Sequence, residues 1–120
     1  AVIKEINRLY PPVNQIFHRI LLDDFEIVPG YILPKDTSMG IDVSMIHMSE
    51  DVWGPDVEEF RPERFLDEDG TPSTNVVSSS WIPFGGGVRQ CLGMGMSLLE
   101  QKVVLSMIVR RYKTCLPAPD

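Results

Sequence analysis

Apolar residues Val2, Ile3, Ile6, Leu9 and Tyr10 recur at helical spacing, so the chain starts as a helix over Ala1–Tyr10. Pro11-Pro12 ends it, because proline cannot continue the hydrogen-bond ladder. From Asn14 to Ser44 the pattern changes to short β-prone runs, broken by Pro29-Gly30 and by Pro34-Lys35-Asp36. That alternation predicts a small antiparallel meander. Ser49–Ser80 is rich in Pro, Asp, Glu, Gly and Ser and reads as irregular, surface-tracking chain. Over Gly93–Tyr112 helical periodicity returns. Met94, Met96, Leu98, Leu99, Val103 and Val104, with Leu105, Met107, Ile108 and Val109 beyond them, cover most of the helix circumference, which predicts a largely buried helix. Arg110, Arg111 and Lys113 near its end suit the negative pole of its dipole. No internal repeat is visible. The expected class is mainly α with a small antiparallel β-meander.

Length and charge narrow this picture. The chain has 120 residues, enough for one small domain. Its net charge of −6 excludes nucleic acid as a general partner, since no basic excess exists to replace phosphate counterions. Cys91 and Cys115 do not make a secreted disulfide scaffold; a metal-binding or reactive cysteine in a reducing compartment fits better. Residue 1 is Ala in what reads as mid-helix, and Cys115–Asp120 stops shortly after a helix. The expectation is a chain cut at both ends. There is no signal peptide and no run of about 18 apolar residues.

The densest chemistry lies in Phe84-Gly85-Gly86-Gly87-Val88-Arg89-Gln90-Cys91-Leu92-Gly93. Three glycines let the backbone turn at positive φ and approach a large planar group. Cys91 follows at the mouth of a helix, where free N–H groups and the dipole favour a negative sulfur. Thiolate is the form that binds metal. Arg89 offers a planar fork to a carboxylate, and Phe84 can keep water from the sulfur. The plain alternative is an inert packed cysteine beside a flexible loop; the flanking residues argue against it. A second constellation is Glu5-x-x-Arg8, one helical turn apart and able to pair. Alone it would be a surface salt bridge worth about 0–1 kcal/mol.

Together these stretches resemble the cytochrome P-450 family. The loop matches its F-x-x-G-x-R-x-C-x-G signature at all five fixed positions, and Phe60-Arg61-Pro62-Glu63-Arg64-Phe65 resembles its P-E-R-F segment. The resemblance covers essentially the whole chain. It divides residues 1–120 into an E-x-x-R helix (1–10), a β-meander (14–44), a P-E-R-F segment and loop (45–83), a haem-binding loop (84–93) and a buried helix (93–112). It implies the C-terminal part of that fold, truncated at both ends, with haem b as cofactor. Cys91 is then the axial iron ligand, a thiolate that favours O–O cleavage. Arg89 and Arg19 hold propionates, and Phe84, Gly87 and Gly93 shape the surroundings of the sulfur. Glu5, Arg8 and Arg64 form a buried three-way network, Arg64 giving Glu5 a second fork. His47 and Trp53 match the helical stretch before P-E-R-F, with His47 a structural hydrogen-bonding residue rather than a metal ligand.

The implied activity is insertion of one oxygen atom from O₂ into an apolar small molecule. The implied partner is an NADPH-dependent flavoprotein reductase. Arg89, where many bacterial relatives carry histidine, leans towards a membrane-anchored protein on the cytosolic face of the endoplasmic reticulum. The acid–alcohol pair that manages protons in this family lies outside the chain, and Val13–Phe17 is the expected substrate-facing piece. Departures at Ser49, Asp36 and Asn14 touch turns. Two other readings remain: a haem-thiolate peroxide isomerase or dehydratase, which needs no reductase, and a non-catalytic haem-binding or purely structural relative.

Overall fold

The structure, a computed structural model, describes residues 1–73 and 80–115. Helix α1 spans Val2–Leu9 and stops before Pro11-Pro12. Strands β1 (Gln15–Ile20), β2 (Phe25–Val28), β3 (Tyr31–Leu33) and β4 (Ser38–Asp42) follow. Short helices α2 (Val43–His47) and α3 (Glu50–Trp53) come next, then single 3-10 turns at Pro62–Phe65 and Gly87–Arg89. Helix α4 spans Met94–Arg111.

The strands are antiparallel, but they do not form a meander. β1 pairs with β4, and β2 pairs with β3, as two separate ribbons. One hairpin is nested inside the other. The inner turn runs through Gly30 at φ +83°, whose N–H donates to Glu26 Oε1 at 2.7 Å. The outer ribbon is closed by Asp36 at φ +65°, whose N–H donates to Leu21 O at 2.9 Å. That bond sends the chain after β3 back towards β1, so β3 and β4 never pair.

The core contradicts two sequence expectations. Ser49–Ser80 is not mere surface chain: Val57 and Phe65 are buried with Val43. Of that segment, residues 74–79 lie outside the described part, as do residues 116–120 of the C-terminal run. The second correction concerns α4. No residue of α4 is buried; Met96 is 77% exposed and Leu99 62%. Helix α1 reaches it, with Asn7 Nδ2 donating to Gln101 Oε1 at 3.1 Å. Apolar positions all round a helix signal burial only where neighbours exist on every side.

Helix α1 is turned against its own apolar pattern. Its buried residues are Glu5, Asn7 and Arg8, while Val2 and Ile6 are about two-fifths exposed. The accessible surface is 9555 Å² for 13.6 kDa. A compact chain of that mass would expose about 6,600 Å². The isolated 120 residues should therefore bind a hydrophobic dye and melt without a sharp transition. Differential scanning calorimetry checks this; a cooperative peak would contradict it.

Candidate functional site

Two structures define the site, a buried ion cluster and the cysteine loop that leans on it. In the cluster, Glu5 accepts from Arg8 Nε at Oε2 and from Arg8 Nη2 at Oε1, both at 2.8 Å. Both side chains are fully buried. Glu5 Oε1 also accepts the Arg61 backbone N–H at 3.0 Å. Arg8 also reaches backbone: Nη1 donates to His47 O at 2.8 Å, and to the Met48 sulfur at 3.9 Å, and Nη2 donates to Glu59 O at 3.3 Å. Its guanidinium stands 5.3 Å from the centre of the Trp53 ring. Arg8 thus ties α1 to α2 and to the chain before Pro62.

Arg64 joins this cluster differently from the sequence expectation. Only its Nε faces Glu5, 3.4 Å from Oε1, and that N–H is not aligned as a hydrogen bond. Charge attraction acts there without a hydrogen bond. The fork of Arg64 points elsewhere: Nη1 donates to Trp53 O, and Nη2 to the backbone and side chain of Asp56. Asp56 also meets Arg61 Nη1. Asp56 was not singled out from sequence. The available signal was an acid eight residues before Arg64, just past the Gly54 turn at φ +89°.

Burial pushes the Glu5 carboxyl up, but the Arg8 hydrogen bonds, the Arg61 N–H and the charges of Arg8 and Arg64 outweigh it, so it sits below the usual carboxylate range. The Arg64 hydrogen bond holds Asp56 below its ordinary value too. His47 is fully buried. Burial, with the Arg8 charge adding to it, lowers its pKa although the Arg8 carbonyl pulls the other way. No metal-like grouping of three His, Cys, Asp or Glu exists among the described residues.

The cysteine loop is shaped by glycine where the backbone demands it. Gly85 (φ +71°) and Gly87 (φ +64°) take left-handed conformations; Gly86, at φ −158°, is extended and does not share that role. The turn brings the Cys91 N–H to Phe84 O at 2.9 Å. Cys91 O accepts from Met94 N at 3.3 Å, so the cysteine stands just before α4. Its side chain is exposed. A methyl group at Gly93 would lie 3.8 Å from Cys91 Sγ, an ordinary contact, so no described atom forces glycine there.

Cys91, Arg89, Arg19 and Phe84 line one open cleft of about 560 Å³ between the loop and β1. Its walls are otherwise mostly apolar, including Val13, Ile16, Phe17 and Ile82. A neighbouring cleft of about 780 Å³ shares Arg19, Arg89 and Phe17. Arg19 Nη1 donates to Phe17 O and His18 O, at 2.8 and 3.2 Å. Among the described residues no carboxylate pairs with Arg19 or Arg89, although the chain is acidic overall. A sulfur, two guanidiniums with no carboxylate partner among the described residues, and apolar walls would suit a flat, largely apolar group that carries carboxylates and a metal. The expected set is therefore split in space. Cys91, Arg89, Arg19, Phe84, Gly87 and Gly93 surround the clefts, while Glu5, Arg8 and Arg64 lie in the interior behind the loop.

The loop is attached to that interior. Trp81 Nε1 donates to Lys4 O at 2.9 Å, and the Ile82 N–H to His47 Nε2 at 3.0 Å. Phe65, Trp81 and Phe84 follow one another with ring centres 6.3 and 6.4 Å apart. The sequence reading made His47 a hydrogen-bonding residue but did not see what it joins.

The chain belongs to the cytochrome P-450 family, whose pattern matches residues 1–119. It is 40% identical over 111 residues to cytochrome P-450 714B3 of Zea mays, covering 92% of this chain and 20% of that protein. It is 32% identical over 120 residues to the cytochrome P-450 monooxygenase cicH of Emericella nidulans, covering all of this chain and 24% of that one. The solved structure of a cyanobacterial CYP120A1 with retinoic acid bound superposes with a TM-score of 0.81 at 35% identity, over 98% of this chain and 26% of that one. The chain thus spans about a fifth to a quarter of the length of these relatives.

Glu5→Ala leaves the Arg8 charge buried without its carboxylate. In a protein of its relatives' length it should cost about 3–5 kcal/mol of stability, measured by denaturant unfolding. A loss under about 1 kcal/mol, the range of a surface pair, would contradict the buried role. Glu5 and His47 both bind protons less readily folded than unfolded, so stability rises with pH through their ranges. The His47 contribution is complete above its unfolded value of about 6.5 and declines as pH falls below it. That of Glu5 is complete above about 4.3 and is lost as pH falls through its depressed folded value. Denaturant midpoints across acid pH check this; stability rising on acidification would contradict it.

Proposed function

We propose that this chain is the cysteine-bearing part of a longer haem-thiolate monooxygenase. One observation carries the reading: Cys91, Arg19 and Arg89 open on one apolar cleft with no carboxylate of the described chain on either arginine. Cys91 would hold the iron as its single protein ligand. Arg89 and Arg19 would receive the two propionates, each as a charge-assisted fork. Phe84, which lines the same cleft, would help to keep water from the sulfur once the haem is bound, which tunes a thiolate ligand. Haem held through the Cys91 thiolate would supply dioxygen activation and O–O cleavage.

The remaining residues position. Gly85 and Gly87 fold the loop so that the Cys91 N–H is already satisfied by Phe84 O. Val13 and Phe17, on the far wall from the loop, suit contact with an apolar substrate. Single-atom oxygen insertion requires two external electrons, so the whole protein takes them from a redox partner, by family an NADPH-dependent flavoprotein reductase. Among the described residues no helix is long and apolar enough to cross a membrane. Anchoring at the cytosolic face of the endoplasmic reticulum belongs to this reading and would rest on sequence outside residues 1–120.

In the full-length protein the reduced carbon-monoxide complex should show the thiolate-specific Soret band, and Cys91→Ser should abolish it. A serine variant with an unchanged spectrum would remove Cys91 as ligand. Arg89→Leu should speed haem loss to an apo-globin acceptor by about 10–100-fold, the worth of a hydrogen bond to a charged group. An unchanged rate would free Arg89 from the propionate role.

A further inference from the structure

The ring of His47 joins two things that the function needs to keep in register. Its Nδ1 lies 3.0 Å from Arg8 O, inside the ion cluster, and its Nε2 accepts the Ile82 N–H at 3.0 Å. A backbone N–H can only donate, so Nε2 carries a lone pair. The proton must then sit on Nδ1, donating to the Arg8 carbonyl, and the ring is neutral. Ile82 begins the turn that ends at the cysteine: Ile82 O accepts from Gly85 N at 3.0 Å, and Phe84 O from Cys91 N at 2.9 Å. Both of the last two bonds are internal to the loop. Between Trp81 and Cys91, the hydrogen bonds that reach α1 and α2 are those of Trp81 to Lys4 and Ile82 to His47, among the described residues, while Gln90 Nε2 donates to Met94 Sδ of α4.

We propose that His47 is a positioning residue for the Cys91 loop, holding it in its metal-binding geometry only as the neutral Nδ1–H tautomer. The proposal rests on the haem-thiolate reading for its spectroscopic arm alone. A proton on Nε2 would set two N–H groups against each other and release Ile82. The charged residue bonded to His47 is Arg8 of α1, and the ion cluster that Arg8 belongs to adds Glu5, Arg64 and Asp56. No carboxylate pairs with the ring itself among the described residues, so the Arg8 carbonyl alone favours the imidazolium there. Arg8, whose guanidinium donates to the backbone oxygen of His47, opposes a second positive charge. Acid is therefore a release signal for the loop, acting through the ring rather than through the sulfur.

The test uses the haem-loaded full-length protein and two variants. His47→Phe removes both hydrogen bonds. His47→Gln places an amide oxygen near the Nε2 position and cannot titrate. In the wild type, acidification below neutral should convert the thiolate Soret band to the non-thiolate form. Amide exchange at Ile82, corrected for intrinsic rates, should speed up at least tenfold over the same range. His47→Phe should show both changes already at neutral pH. His47→Gln should keep the band at neutral pH and lose the acid step. A folded His47→Phe protein with a wild-type band and wild-type Ile82 protection would overturn the proposal. Should that variant fail to fold, His47→Gln decides: an acid midpoint equal to that of the wild type would overturn it as well. A wild type without the thiolate band would sink the haem-thiolate reading instead, while Ile82 exchange would still judge His47.

Discussion

The pairing of Glu5 with Arg8 is the constraint from which the rest of the structure follows. Two hydrogen bonds at 2.8 Å join fully buried side chains one helical turn apart. Desolvating both charges is expensive, and the pair gains little over apolar packing unless every lone pair and proton is used. Here most of them are. Glu5 takes the Arg61 N–H, and Arg8 gives its other donors to the carbonyls of His47 and Glu59. Those contacts come from segments about 40 to 56 residues downstream, so one local pair fixes two distant pieces of chain. The apolar core beside it is small, with Val43, Val57 and Phe65 buried. Polar organisation therefore contributes to the shape of this chain as much as oily packing does.

The cysteine loop inherits its position from that cluster. His47 and Lys4 hold Ile82 and Trp81 against the body, and the turn beyond them is closed by its own backbone bonds. What projects from the loop is consequently free to face a ligand. Val88 and Leu92 are fully exposed, and Arg89 meets Arg19 across an apolar cleft. Two guanidiniums without a carboxylate among the described residues, in a chain of net charge −6, are an electrostatic arrangement that the anionic group of the proposed reading would complete.

Local features were legible in the sequence and long-range ones were not. The left-handed turns at Gly85 and Gly87, the helix ends at Pro11 and near Gly93, and the closeness of Glu5 to Arg8 depend on neighbouring residues, and a linear pattern carries them. The partnership of Arg64 with Asp56 depends on how two irregular segments fold together. The nested hairpins arise because Asp36 adopts a positive φ and bonds to Leu21, a choice that β-propensity does not encode. Composition made Ser49–Ser80 look like surface, yet Val57 and Phe65 from it are buried, because a few apolar side chains suffice to anchor a polar stretch. In α4 the periodicity reported an intrinsic need for cover, which the described neighbours do not meet.

The central claim is that the ion cluster and the cysteine loop form one mechanical unit. Residue-resolved amide exchange in the full-length protein, comparing the wild type with Glu5→Gln, tests it most directly. The Arg61 amide, which Glu5 binds, reports the local loss. If the unit is real, the amides of Ile82 and Cys91 lose protection together with it. Faster exchange at Arg61 with Ile82 and Cys91 unchanged would show that the loop stands independently, and the account would fail.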